Sequence, residues 1–299
     1  MDIRFDGRVA IVTGAGGGLG RCHALGLAAR GAKVVVNDFG PGGAPSASAN
    51  AVAGEIEAAG GEALAHGADV SNAAEVEDMV RAAEKAWGRI DILVNNAGIL
   101  RDKSFAKMEL ADFEKVIAVH LMGSANCAKA VWNGMRERNY GRIVFTSSSS
   151  GLYGNFGQAN YGAAKAAMVG LMNVLHLEGA KYDIRVNTLA PTARTAMTEN
   201  LLPADAAELL APEAVTPGLL YLVCEQAPSR VILGAGAGAF AVTHILESPG
   251  VYLAPEERMP ETIAARFAEI SDRDAAQPLD NAFGQTFKFT SLAARAKAR

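Results

Sequence analysis

The sequence predicts an α/β fold, a doubly wound parallel sheet that makes one domain over residues 1–240, with a C-terminal helical extension over 241–299. Two observations predict it. Six short runs of apolar, mostly β-branched residues recur along the chain, and Ala- and Leu-rich stretches of helical length separate them. Each run also turns small or polar where it ends, as strands do when their carboxyl ends line a ligand crevice.

In order, RVAIVT (8–13) is the first strand; it breaks at Gly14 and gives way to a helix from Leu19 to Arg30. KVVVND (33–38) is the second, followed by a Gly/Pro/Ser-rich loop over 39–50 that is too turn-heavy for a regular element. Helical stretches at 50–59 and 72–87 flank a third strand, EALAHGADV (62–70). DILVNNAG (91–98), GRIVFTSSSSG (141–151) and DIRVNTLAP (183–191) complete the six, with helices over 109–136 and 160–180 between them. Strands alternating with helices imply right-handed crossovers and a sheet covered on both faces. From about residue 241 the alternation fades, and 255–276 reads as a polar helical extension.

Composition narrows the classes of function. Of 299 residues half are hydrophobic and a fifth charged, which is enough for a buried core and excludes a disordered chain. Lys and Arg number 28 against 32 Asp and Glu, a formal charge of −4, so the chain as a whole has no electrostatic reason to seek nucleic acid or an anionic membrane. No window reaches the ~18 consecutive apolar residues of a membrane helix. The three cysteines, Cys22, Cys127 and Cys224, form no C-x-x-C pair and fit a reducing compartment. With a charged N-terminus and a tail that does not match the Ser-Lys-Leu address, the expected location is cytoplasmic. His66, His176 and His244 show no ligand spacing, so no metal is expected.

TGAGGGLG (13–20) joins the first strand to the first helix. Gly14, Gly18 and Gly20, with Leu19 among them, allow a backbone turn close to a pyrophosphate, which the helix N-terminus then stabilises. Such a turn alone is often only a turn. Asp38 strengthens it, ending the second strand 18 residues after Gly20, near the ~20 expected of a carboxylate that accepts ribose hydroxyls. That carboxylate would repel a 2′-phosphate, and neither 15–18 nor 39–50 supplies a cation, so the residues predict NAD rather than NADP. Asp69-Val70, after the third strand, reads equally as an adenine contact or as a cap on the 72–87 helix.

YGAAK places Tyr161 and Lys165 at i and i+4 on one helix face. Such a pair is usually solvated, but TSSSSG (146–151) supplies hydroxyls at the end of a preceding strand. A phenol titrates near ~10, and a cation one helical turn away favours its ionised form, so Tyr161 is a candidate general base.

TGAGGGLG, NNAG (95–98), Ser148 thirteen residues before Tyr161, and YGAAK together resemble the Rossmann-type short-chain dehydrogenase/reductase family. NDFG, NNAGILRDKSF, VHLMGS (119–124), residues 140–165 and NTLAPTARTAMT (187–198) resemble one branch of it more closely, the (3R)-hydroxyacyl-CoA dehydrogenases of the peroxisomal multifunctional enzymes of β-oxidation. The resemblance runs from about residue 5 to 240 and thins afterwards. It implies that Tyr161 is the acid/base, that Ser148 hydrogen-bonds the reacting oxygen, and that Lys165 lowers the Tyr161 pKa and holds the nicotinamide ribose. It places Asn95, Ala97 and Gly98 on the adenosine side, and Pro191, Thr192 and Thr195 near the carboxamide. The wider family has Asn where this chain has His120, which reads either as a branch feature of a relay to the lysine or as a buried histidine. A segment over 192–212 is a candidate lid, and Arg101, Lys103 and Arg194 are either contacts for CoA phosphates or solvated charge. Family members are commonly dimers or tetramers built on the two long helices around the serine strand, so a homodimer or homotetramer is expected. Three readings stay open: a dehydrogenase of 3-hydroxyacyl-CoA thioesters, a dehydrogenase of free steroid or other secondary alcohols, and a non-catalytic dinucleotide-binding scaffold.

Overall fold

A computed structural model describes residues 2–194 and 209–297. They form two compact units, Met1–Val242 and Thr243–Arg299. The first is built on an eight-stranded sheet in the order β3-β2-β1-β4-β5-β6-β7-β8. Its strands are β1 (Val9–Thr13), β2 (Lys33–Asn37), β3 (Ala63–His66), β4 (Ile92–Asn95), β5 (Gly141–Thr146), β6 (Ile184–Pro191), β7 (Ile232–Gly236) and β8 (Ala239–Thr243). The pairs from β3 through β7 are parallel. β8 returns after the two-residue turn Ala237-Gly238, where φ is +50° and +75° as a tight hairpin demands, so the sheet ends on an antiparallel edge.

The chain builds outward from β1 to β3 and then crosses back to lay β4 on the other side of β1, which opens a crevice beyond the carboxyl ends of β1 and β4. Alternate residues of each strand enter opposite cores. Ala10 and Val12 pack with α1 (Gly18–Ala28), α2 (Ala47–Ala58) and the helix Thr216–Leu222, whereas Val9 and Ile11 pack with α3 (Ala73–Trp87), α5 (Gly123–Arg138) and α7 (Ala159–Gly179). Met168 and Met172 are buried in the second core.

The structure revises several expected boundaries. β3 stops at His66, which pairs with Asn37 at the end of β2, and beyond it Gly67 packs on the Ala44 backbone with no room for a side chain. The expected loop 39–50 yields to α2 at Ala47, because the Ser46 hydroxyl accepts the Ala49 N–H at 3.0 Å and caps the helix. The single helix expected over 109–136 is α4 (Leu110–Ile117), a π-helical turn over Ala118–Met122, and then α5. β7, β8 and the helix Thr216–Leu222 lie beyond the six strands and their helices that the sequence pattern marks. The second unit holds the helices Pro260–Ala265, Phe267–Ile270 and Ala282–Lys297, and paired backbone hydrogen bonds join Glu247 to Gln277 across the first two. No described helix is long and apolar enough to cross a membrane.

Candidate active site

A cleft of about 550 Å³ opens at the crevice between β1 and β4. Its floor is the glycine turn. Gly14 has φ +63°, and a side chain there would meet Ala97 Cα at 2.9 Å; at Gly20 it would meet the Gly14 carbonyl at 2.2 Å. These two positions hold the turn, the 95–98 segment and α1 together at backbone distance. Thr13 completes the join, its hydroxyl accepting the N–H groups of Asn96 and Ala97, both at 3.0 Å, while the Asn96 amide donates to the Thr13 and Gly14 carbonyls at 2.9 and 3.2 Å.

Asp38 lies beside this turn, half-buried, with the Ser46 hydroxyl donating to its carboxylate at 2.6 Å. A Cβ at Gly16 would stand 2.3 Å from the same carboxylate, whereas nothing lies within 4 Å of one at Gly17. An open backbone cradle with an acceptor carboxylate at its edge fits the pyrophosphate and ribose of a dinucleotide.

Further in, Ser148, Tyr161 and Lys165 face the same cleft. Ser148 N-caps α6 (Ser149–Tyr153), its oxygen accepting the Ser150 N–H at 3.2 Å, and it is hydrogen-bonded to the Tyr161 hydroxyl. Lys165 Nζ lies 5.6 Å from the Tyr161 ring centre and donates to the Thr146 carbonyl at 2.6 Å. Burial brings its pKa down to about 7. The lowering of the Tyr161 pKa by this neighbour is not the direction found. Burial pushes the phenol up, the Ser148 hydrogen bond opposes that, and the Asp102 carboxylate adds to it. The reason is the burial of the phenol itself, and the lysine beside it is also brought down by burial.

His120 sits in the π-turn, where the widened helix carries it inward. Its ring meets Tyr161 edge-on at 5.3 Å, and Nε2 lies 3.1 Å from the Ile99 nitrogen and 2.9 Å from the Ile99 oxygen. Burial, with Lys165 adding, takes its pKa to about 3, so the ring is neutral. His120 Nδ1, Thr146 Oγ1 and both side-chain polar atoms of Asn95 have no partner among the described residues. Buried polar atoms of this kind call for a ligand or water to satisfy them.

Of the sequence-selected residues, the cleft brings together Gly14, Gly18, Leu19, Asp38, Ala97, Gly98, His120, Ser148, Tyr161, Lys165, Pro191 and Thr192. Gly20, Asp69, Val70 and Asn95 do not line it. Asp69 turns inward on its own loop, accepting the Ser71 N–H and hydroxyl at 2.8 and 2.6 Å, and the α3 cap is Asn72. Thr195, with most of the expected lid over 192–212, lies outside the described residues. Arg101 and Lys103 both reach Asp112, at 3.6 Å each. Asn96, Asn155 and Gln158, to which sequence reasoning assigns no individual role although they fall in the quoted segments 95–98 and 140–165, also line the cleft.

A family model for the short chain dehydrogenases matches residues 8–206. The chain is 45% identical over 280 residues to peroxisomal multifunctional enzyme A of Dictyostelium discoideum, covering 92% of this chain and 62% of that one. With the peroxisomal hydratase-dehydrogenase-epimerase of Saccharomyces cerevisiae it shares 46% identity over 278 residues, 91% of this chain and 31% of the other. The full-length structure of peroxisomal multifunctional enzyme type 2 from Drosophila melanogaster superposes with a TM-score of 0.83 at 37% identity, over 99% of this chain and 51% of that chain. A 7α-hydroxysteroid dehydrogenase complexed with NADH and 7-oxo glycochenodeoxycholic acid gives a TM-score of 0.73 at 30% identity, over 79% of this chain and 95% of that one. The chain spans between about a third and two thirds of the length of these multifunctional relatives.

Proposed function

The chain belongs to the short-chain dehydrogenase family, an oxidoreductase acting on a CH–OH group, and from that premise we propose that it oxidises a (3R)-3-hydroxyacyl-CoA to the 3-oxoacyl-CoA with NAD as acceptor. The observation that carries this reading is the cleft itself: Ser148, Tyr161 and Lys165 open onto the same space as the glycine cradle and Asp38. The substrate class rests on the relatives, one named a hydratase-dehydrogenase-epimerase, and the cofactor class on the family and on a relative solved with NADH.

An oxidised nicotinamide bound there would supply the acceptor for the carbinol hydride. Gly14, Gly18 and the start of α1 would hold the diphosphate, Asp38 the adenosine ribose, and Pro191 and Thr192 the carboxamide end, all of them lining the one cleft. Asp38 also excludes a 2′-phosphate by charge. The Tyr161 oxygen removes the substrate hydroxyl proton while Ser148 holds the oxygen from which it leaves, and the carbonyl forms as the C–H bond breaks. Lys165, with an ammonium poised between charged and neutral forms, would hold a ribose hydroxyl, and in its charged form it would work against the burial that holds the phenol up.

Initial rates with NAD and NADP on (3R)-3-hydroxyacyl-CoA, on its (3S) epimer and on free steroid alcohols test the reading. NAD-dependent turnover confined to the (3R) thioester is expected. Preferential turnover of free alcohols would assign the second reading, for which the hydroxysteroid dehydrogenase likeness speaks.

The proposed assembly is a homodimer or homotetramer packed through α5 and α7. Val174 and Leu177 on α7 are 52% and 48% exposed, beside a shallow groove lined by Trp132, Leu171 and Leu175. Sedimentation should give two or four copies. The proposed compartment is the cytoplasm, a reducing one that suits three buried free thiols. Fractionation tests it, and a peroxisomal result would follow the relatives' names.

A further inference from the structure

The wall of the cleft beside Tyr161 carries a polar cluster that the mechanism above does not use. Gln158 is the N-cap of α7, three residues ahead of Tyr161, and is 6% exposed although it lines the cleft. Its orientation is fixed by chemistry. Nε2 donates to Asp102 Oδ2 at 2.7 Å, and an ionised carboxylate can only accept; Oε1 in turn takes the Ser150 hydroxyl at 2.7 Å and the Asn155 amide at 3.1 Å. A primary amide offers two N–H donors and an oxygen with two lone pairs. Both lone pairs and one N–H are occupied, so what Gln158 has left for the cleft is one donor. The cluster is held from three sides. Lys103 N–H donates to the Gly157 carbonyl at 2.9 Å, and the Asn160 amide to the Arg101 carbonyl at 2.9 Å, so the strand-like 101–103 segment and the start of α7 move together.

A preset single donor near the base selects an acceptor on the substrate. A 3-hydroxyacyl thioester carries one such acceptor two carbons from the reacting carbinol, its C1 carbonyl oxygen; a simple secondary alcohol carries none. We propose that Gln158, oriented by Asp102, Ser150 and Asn155, is the specificity-determining residue that donates to the thioester carbonyl and so sets which carbinol is presented to Tyr161. The inference rests on the substrate class proposed above and deepens it. Replacing Asp102 by a group that cannot accept frees the amide to turn, and the selection disappears with the orientation.

The experiment compares (3R)-3-hydroxybutyryl-CoA with its thioether analogue, in which CH2 replaces the C1 carbonyl, as substrates of the wild type, Gln158→Met and Asp102→Leu. The wild type is expected to favour the thioester in kcat/KM by roughly tenfold or more, the worth of one well-made neutral hydrogen bond with its desolvated partner. Both variants should bring the ratio close to unity, with most of the change in the thioester arm, while NADH binding followed by fluorescence stays as in the wild type. A ratio that survives in both variants, or two substrates that decline in parallel, overturns the role of Gln158 and leaves the hydroxyacyl-CoA reading standing. A wild type that turns over neither compound, yet oxidises other alcohols, overturns the substrate reading and this inference with it. Should Gln158→Met lose NADH binding through misfolding, Asp102→Leu, whose side chain lies one hydrogen bond further out, decides alone.

Discussion

The residues proposed for catalysis reveal a conflict between burial and charge that the sequence does not show. Tyr161, Ser148, Lys165 and Asp38 are legible because their signals are local: a helical spacing of four, a run of hydroxyls at a strand end, an acid at the end of β2. The sign of the Tyr161 shift is not legible, since it depends on burial and on Asp102, which the fold brings in from another segment. Gln158 is hidden for the same reason, its carboxylate partner lying 56 positions away. Tyr161→Phe keeps the ring and its edge contact with His120 but removes the proton acceptor. Turnover should fall roughly 10²–10⁴-fold, with NADH affinity and circular dichroism unchanged. A variant with most of its turnover would mean that another group takes the proton. At the other end of the cleft, Asp38→Ser combined with Phe39→Arg exchanges a repelling carboxylate for a cation. The NADP/NAD ratio of kcat/KM should rise roughly ten- to hundredfold, because a charge-assisted hydrogen bond to the 2′-phosphate replaces the repulsion between two anions. An unchanged ratio would show that Asp38 does not face the adenosine ribose.

Elements carry the next level of constraint, because the glycine turn works only as part of a strand, a turn and a helix packed at backbone distance. Gly20→Ala places a methyl 2.2 Å from the Gly14 carbonyl, which is backbone, and 2.6 Å from the Asn96 side-chain amide, which hydrogen bonds to the Thr13 and Gly14 carbonyls hold in place. The helix must back away from β1. Overpacking of this kind costs about 1–3 kcal/mol, and the urea midpoint should fall accordingly, together with a loss of NADH affinity. Gly17→Ala is the control, since no atom lies within 4 Å of its added carbon, and it should leave the midpoint nearly unchanged. Equal effects at the two positions would refute the packing account. The same level explains what could be read beforehand. β1, β2, β4, β5 and β6 announce themselves as apolar runs because parallel strands buried on both faces need a continuous hydrophobic sequence. β7 and β8 do not, since three of the five residues of ILGAG are glycine or alanine and AFAVT is largely exposed, so neither periodicity nor bulk marks them. The π-turn at Ala118–Met122 is invisible to a pattern that assumes a uniform helical repeat.

For the whole molecule, the two buried histidines dictate how stability responds to acid. His23 is fully buried on α1, its Nδ1 3.0 Å from the Thr216 hydroxyl and its Nε2 without a partner among the described residues, and burial alone takes its pKa to about 3. His120 is held equally low by burial and by Lys165. In the unfolded chain both titrate near the ordinary 6.5. Between pH 3 and 6.5 the unfolded state therefore binds more protons than the folded one, so stability rises with pH through that window. Above it the two residues contribute their full stability, and this is lost progressively as pH falls toward 3. Each contributes up to about 1.4 kcal/mol per pH unit, or about 2 kcal/mol between pH 6.5 and 5. Depressed carboxylates such as Glu247 act in the same direction, but that group is solvated and adds little. Substitution separates the sources. In urea unfolding at pH 7.0, 6.0 and 5.0, His23→Leu should lower the stability at pH 7.0 by removing its hydrogen bond to Thr216, yet show a shallower fall toward pH 5.0 than the wild type. Parallel curves for the two proteins would mean that His23 is protonated in the folded state, and that water reaches the seam between α1 and the helix Thr216–Leu222.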